Sequence, residues 1–314
     1  MPGLAARHVE RYIVWPSASP AGRAGFSLDA APESRHLRAV PPRSPVIRLF
    51  LADIDGCLSE PYRPFDLSGF ARLRAWAERA ETDDRWPRLG ICSGRAYAYV
   101  EATAQALGLS GPALFESGGG RFDLPTATIA WNPALTPATE RALDRVREFF
   151  LREIVAGAPS ISLDYGKRAQ AGIVSPNLGE CVTFLPAAHQ IVASVQQETG
   201  IALQPFSTPW SIDVVPAELT KAQALTWVAE QEGMDMDEVA FIGDSDGDMG
   251  AMEAAGIGFA PANADVSVQA AADVVTEGEL VAGVGEAYIA CLRENGVDPV
   301  EAVTAAPGLF STAS

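Results

Sequence analysis

Asp53 and Asp55 stand two residues apart at the end of the apolar run Leu49-Phe50-Leu51-Ala52, with Gly56 directly behind them. Side chains of an extended chain alternate, so the two carboxylates point to one side. Like charges held together repel unless a cation or a shared proton relieves them. A site built from such oxygen ligands suits Mg²⁺. One carboxylate of the pair can attack phosphorus and carry it as an aspartyl-phosphate. The other can give a proton to the leaving oxygen and take one from the attacking water. Further groups fit the same chemistry. The Ser93 hydroxyl and the backbone N–H groups around Gly94 can hold phosphate oxygens at a helix start. Lys221 can neutralise charge developing on a phosphoryl group. Asp244 and Asp248, about one helical turn apart, can complete an Mg²⁺ site. Each has a plainer reading: Asp-x-Asp-Gly as a polar turn, Ser93-Gly94-Arg95 as a helix cap, Lys221 as a solvated lysine. Their positions decide between the two.

The elements that must hold these groups alternate. A short apolar strand at 46–51 follows Pro41, Pro42 and Pro45. Helical spacing at 66–79 places Leu67, Phe70, Leu73 and Ala77 on one side. A strand at 88–92, a helix at 95–107 ended by Gly108, and strands at 113–115, 121–124 and 128–131 come next. Alternation resumes with a helix at 220–231, a strand at 238–242, a helix at 249–255, strands at 257–259 and 274–275, and a helix at 279–294. This order predicts an α/β fold: a Rossmann-like parallel sheet with helices on both faces. In such sheets ligands bind beyond the carboxyl ends of the strands. Asp53, Ser93 and Asp244 each follow a predicted strand.

Between these two stretches the pattern changes. A helix at 136–151, strands at 161–163, 171–174 and 181–185, a helix at 187–199 and strands at 201–206 and 210–215 predict a smaller α+β cap, placed at 132–210. It interrupts a core formed by 44–131 and 211–297. Residues 1–43 are rich in Pro, Ala, Ser and Arg, with six Arg against Glu10, Asp29 and Glu33, and read as a disordered extension. Residues 298–314 read as a loose C-terminal tail.

Composition narrows the function. A formal charge of −17 over 314 residues speaks against nucleic acid or an anionic membrane as partner. No apolar run approaches the roughly 20 residues that span a bilayer. Cys57, Cys92, Cys181 and Cys291 form no C-x-x-C pair, so reduced thiols in a cytoplasmic protein are expected. His8, His36 and His189 are too scattered to suggest a histidine metal site. Lys167 and Arg168, in the insertion, could read an anionic substrate or could belong to a solvated turn.

Over residues 46–295 the chain resembles the haloacid dehalogenase superfamily of Mg²⁺-dependent phosphatases. Its four motifs occur in order as Asp53-Ile54-Asp55-Gly56, Ser93, Lys221, and Gly243-Asp244-Ser245-Asp246-Gly247-Asp248. An insertion between the second and third is similar to the branch holding archaeal phosphoglycolate phosphatase, sucrose-phosphate phosphatase and mannosyl-3-phosphoglycerate phosphatase. Gly111-Pro112-Ala113-Leu114-Phe115-Glu116-Ser117-Gly118-Gly119 resembles that branch's G-P-x-x-x-E-N-G-G stretch, and Pro261-Ala262-Asn263-Ala264 its P-A-N-A stretch. The resemblance implies Asp53 as nucleophile and Asp55 as acid/base. It implies Mg²⁺ on Asp53, the Asp55 carbonyl and Asp244, with Asp248 in support. Ser93, Gly94 and Lys221 would hold phosphate, and Asn263 would line the site. The implied activity is hydrolysis of a small phosphorylated metabolite, a phosphoglycolate-like acid or a sugar phosphate, through an aspartyl-phosphate. A phosphomutase or phosphotransferase of the same superfamily, or a non-catalytic phosphometabolite-binding module, is the alternative, and a homodimer is left open. Dehalogenation has no need of Asp55. The pattern departs at Gly247 and Ser117, where Asn usually stands.

Overall fold

The computed structural model describes residues 46–305. The expectations for 1–43 and for the last residues of the chain lie outside them. The central strand is β1 (Leu49–Ala52), buried at every position. Its alternation divides the core. Phe50 and Ala52 face one hydrophobic cluster, while Leu49 and Leu51 face another, as the two-residue period of a strand requires. Strand β1 is followed by α1 (Leu67–Ala80), β2 (Arg88–Cys92), α2 (Tyr97–Leu107), β3 (Ala113–Phe115) and the hairpin β4 (Gly120–Asp123) and β5 (Thr128–Trp131).

The inserted segment contributes α3 (Pro137–Phe149), β6 (Ser162–Leu163), β7 (Ala171–Val174), α4 (Leu185–Thr199), β8 (Leu203–Ser207) and β9 (Ser211–Pro216). The chain then supplies α5 (Lys221–Glu232), β10 (Val239–Ile242), α6 (Asp246–Ala254), β11 (Ile257–Ala260), α7 (Val266–Ala271), β12 (Val274–Val275), α8 (Leu280–Glu294) and α9 (Pro299–Ala305).

Two sheets result. The larger runs β12-β11-β10-β1-β2-β3-β4-β5. It is parallel from β12 to β3 and antiparallel in the last two strands. Helices α1, α2 and α8 cover one face through Phe70, Trp76, Val100, Val284 and Tyr288; α5, α6 and α7 cover the other through Leu225, Val228, Met252 and Val268. Each such side chain contributes roughly 1.5–3 kcal/mol by leaving water. Chain order reverses at β1, whose neighbours are β2 and β10, and this reversal opens a crevice at the carboxyl ends of those strands. The expected α/β class, a Rossmann-like parallel sheet with a smaller α+β part, is what the chain adopts. The second sheet, β6-β7-β9-β8, is antiparallel. It packs against α3 and α4 through Leu143, Val146, Ile173, Val192 and Ile212.

Three sequence expectations need correction. Residues 181–185 wind into a 3-10 turn, Cys181–Phe184, leading into α4. Their strand-forming side chains yield to Pro186, whose fixed φ suits a first helical turn. Strand β9 pairs with β7 and β8, so the segment that builds the second sheet runs to Pro216 and not to 210. The C-terminal stretch is not all loose. Asp298 accepts from the Val300 N–H at 2.9 Å and Pro299 begins α9. The Trp76 indole donates to the Ala302 carbonyl at 2.9 Å, fastening α9 to α1.

Candidate active site

Asp53 continues the β1 ladder by donating its N–H to the Ile242 carbonyl at 3.0 Å. The chain then folds back on itself. Cys57, Leu58 and Ser59 all donate to the Ile54 carbonyl, and Gly56 donates to the Ser59 carbonyl at 2.8 Å. Gly56 has φ +79°, and a Cβ there would run into the Asp244 carboxylate. Glycine is therefore required twice, for the left-handed backbone and for the close approach. Asp53 is buried, and its Oδ1 accepts from the Ile54 N–H at 2.7 Å.

Lys221 enters the same strand end from the start of α5. Thr220 caps α5 by accepting from the Gln223 N–H, which makes Lys221 the first helical residue. Its Nζ lies 2.8 Å from Asp53 Oδ2 and 2.5 Å from Asp248 Oδ1. Asp248, fully buried, is anchored in turn: its Oδ2 accepts from the Ser245 hydroxyl at 2.8 Å, the Ser245 N–H at 3.2 Å and the Asp244 N–H at 3.3 Å. Asp248 thus ties Lys221 to the loop that carries Asp244.

One oxygen from each of Asp53, Asp244 and Asp248 falls within a 4.8 Å group. Lys221 is the cation bonded to Asp53 and Asp248 there, so negative charge is in surplus. The consequence shows in proton affinities. Burial pushes Asp53 up to about 7, with Lys221 pulling it down and Asp248 and Asp55 adding to the rise. Burial, then Asp53 and Asp248, push Asp244 up to about 8. Burial pulls Lys221 down, but Asp248 and Asp53 more than offset this and hold the ammonium well above its ordinary range. A surplus of hard oxygen donors, without sulfur or imidazole among them, fits a small divalent cation such as Mg²⁺.

Ser93 is buried at the end of β2, where its N–H donates to the Leu114 carbonyl at 3.0 Å. Because Ala52 pairs with both Ile91 and Ile242, Ser93 and Asp244 leave the sheet on either side of Asp53. Helix α2 starts at Tyr97, so Ser93 and half-buried Gly94 lie in the loop before it. Asn263, expected to line a phosphate site, is exposed next to the Gly56 turn. It donates to the Gly56 carbonyl at 2.8 Å and accepts from the Leu280 N–H at 2.8 Å. The amide thus links the Gly56 turn to the start of α8, beside the Asp53 site.

Asp55 is half-buried, and its carboxylate is gripped by Arg95, which none of the motifs assigns a role. Arg95 Nε and Nη2 lie 2.6 and 2.8 Å from Asp55 Oδ2 and Oδ1. The guanidinium also sits 4.9 Å from the Tyr99 ring centre and 5.3 Å from that of Tyr62, within cation–π range. The available signal was its place two residues after Ser93. Tyr62 in turn meets Trp210 of the inserted segment edge-on, ring centres 5.3 Å apart. Lys167 and Arg168 are both engaged. Lys167, buried, pairs with Asp213 at 2.6 Å, and Arg168 pairs with Glu140 at 2.6 Å while lying over Trp131. Lys167 is thus held inside the insertion, while the Arg168 side chain stays half-exposed.

A family model described as haloacid dehalogenase-like hydrolase matches residues 187–287. Phosphoglycolate phosphatase of Methanopyrus kandleri is 27% identical over 243 residues, covering 75% of this chain and 93% of that protein. The Natronomonas pharaonis phosphoglycolate phosphatase is 28% identical over 235 residues, with the same coverage of 75% and 93%. Among solved structures, a Thermoplasma acidophilum protein superposes with a TM-score of 0.60 at 21% identity, over 78% of this chain and 98% of that one. The sucrose-phosphatase of Synechocystis, solved with sucrose and phosphate, superposes with a TM-score of 0.56 at 18% identity, over 79% of this chain and 98% of that one. Motif order, fold and relatives agree in one direction: the chain is similar to the haloacid dehalogenase-like hydrolases, through the matched segment 187–287 and through phosphoglycolate phosphatases along three quarters of its length.

Proposed function

We propose that this chain is an Mg²⁺-dependent phosphatase that hydrolyses a small phosphorylated metabolite through an aspartyl-phosphate on Asp53. The observation that carries the reading is the buried Asp53 carboxylate, fixed by the Ile54 N–H and Lys221 and grouped with Asp244 and Asp248. Asp53 and Asp244, with Asp248 behind them, would hold Mg²⁺, which when bound supplies positive charge to the phosphoryl oxygens.

The chain's own groups account for the proton and bond changes. An Asp53 oxygen attacks phosphorus, and the bond from phosphorus to the ester oxygen breaks. Asp55 delivers a proton to that leaving oxygen. Asp55 then takes a proton from water, whose oxygen attacks the phosphoryl group and releases Asp53 and inorganic phosphate. Lys221 stabilises charge on the phosphoryl group throughout. Ser93 and the backbone at Gly94 orient it. For Asp55 to carry a proton, Arg95 must release one of its oxygens.

The names of the relatives support a phosphoglycolate-like acid as substrate class, with sugar phosphates next. The test is phosphate release from 2-phosphoglycolate and a panel of sugar phosphates, with Mg²⁺ and with EDTA. Mg²⁺-dependent release is expected. A folded protein that turns over no phosphoester would overturn the reading, and phosphate recovered on a second sugar would make it a transferase.

A further inference from the structure

The turn after β3 is strained, buried and bonded in two directions. Glu116, Ser117 and Gly118 have φ of +52°, +56° and +91° in succession. Left-handed backbone at non-glycine residues persists only where the surroundings over-determine it, and it gathers at functional sites. Toward the core, Glu116 donates its N–H to the Arg95 carbonyl and Ser117 donates to the Ser93 carbonyl, both at 2.9 Å. Toward the insertion, Glu116 Oε2 accepts from the Arg168 N–H at 2.8 Å and from the Ala169 N–H. The Gln170 side chain donates to Ser117 Oγ at 2.9 Å. Gly119 leaves no room for a Cβ against Ala169.

Glu116 is 1% exposed, and its Oε1 has no hydrogen-bond partner among the described residues. A buried carboxylate with an idle oxygen is costly, and packing alone would favour an apolar residue. What the glutamate provides is reach: one oxygen bridges two consecutive amides of the 164–170 loop, 52 and 53 residues along the chain. That loop returns to the site, because a Cβ on Gly166 would stand 3.1 Å from the Ala96 Cβ, next to Arg95.

We propose that Glu116 is a positioning residue that clamps the 164–170 loop of the insertion to the Ser93–Arg95 loop, and so sets the wall that a substrate's non-phosphate end meets. The clamp itself stands on geometry; its effect on substrate choice rests on the phosphatase reading.

Hydrogen exchange by mass spectrometry on the full chain tests the clamp without any assay of activity. Glu116→Ala should speed exchange at the Arg168 and Ala169 amides by about tenfold or more, with strand β1 and β10 amides unchanged. Glu116→Asp, one methylene shorter, should do the same, and it decides the matter if Glu116→Ala does not fold. Glu116→Gln, which keeps a carbonyl oxygen in place, should exchange like the natural protein. The kinetic readout is the ratio of kcat/KM for 2-phosphoglycolate to that for p-nitrophenyl phosphate. It should fall by about tenfold in Glu116→Asp, mainly through KM. Loop protection unchanged in Glu116→Asp, Glu116→Gln as open as Glu116→Ala, or faster exchange spread across the whole chain would each overturn the proposal. An equal fall for both substrates would also overturn it. If the natural protein hydrolyses neither substrate, the phosphatase reading fails while the exchange data still judge the clamp.

Discussion

Replacing Lys221 by Met keeps the volume and removes the charge that holds the site together. Its ammonium lies 2.8 Å from Asp53 and 2.5 Å from Asp248, with little solvent between them. Removing one partner of a buried ion pair costs roughly 3–5 kcal/mol, since the other partner is left uncompensated. At about 2–4 °C per kcal/mol for a domain of this size, melting should fall by about 6–20 °C in EDTA at pH 8.5. The carboxylates can escape by binding protons, and burial has already pushed Asp53 up to about 7 and Asp244 up to about 8. The loss should therefore be smaller at pH 6 than at pH 8.5. Mg²⁺ returns positive charge to the same oxygens and should restore part of the lost stability. Thermal unfolding followed by circular dichroism at both pH values, with Mg²⁺ and with EDTA, measures each of these. A Lys221→Met protein melting within about 2 °C of the natural one at pH 8.5 would refute the claim that this lysine neutralises the cluster.

Gly56→Ala drives a Cβ into Asp244 at φ +79° and should weaken Mg²⁺ binding by at least about tenfold; unchanged affinity by calorimetry would show that the turn does not shape the site. Because Asp53 and Asp244 are raised to about 7 and 8, Mg²⁺ binding at pH 7 should expel roughly one proton and weaken as pH falls; calorimetry in buffers of different ionisation enthalpy reads this, and no proton release would contradict it. Burial, opposed by the Ala169 and Arg168 amides, pushes Glu116 from 4.5 up to about 7. The unfolded chain therefore loses this proton first, and the glutamate's contribution to stability falls as pH rises from about 4.5 to 7. Glu116→Gln should gain stability relative to the natural protein across that window, by at most about 3 kcal/mol; urea titrations at pH 5 and pH 8 giving the same difference would exclude this.

Much of the framework could be read from the chain because local rules and tertiary fold agree there. The apolar run before Asp53, the Thr220 cap before Lys221 and the strand before Asp244 are local signals. Each places its residue at a strand end or a helix start. The groups that escaped notice act across long separations. Arg95 reaches Asp55 over 40 residues, and Glu116 meets Ala169 over 53. No periodicity encodes such pairings. Lys167 and Arg168 were open to two readings because their partners, Asp213 and Glu140, are 46 and 28 residues away. The contact of Asn263 with the Gly56 carbonyl, 207 residues distant, is equally invisible to local rules. The error at 181–185 is of another kind, where β-forming side chains yield to a proline that starts a helix.

The most direct test of the central claim is chemical trapping. The protein is mixed with ³²P-labelled substrate and Mg²⁺, quenched in acid within one turnover, and digested. The account predicts acid-stable label on the peptide containing Asp53 and none in Asp53→Asn. Turnover with no label on Asp53, or label that survives Asp53→Asn, would contradict it.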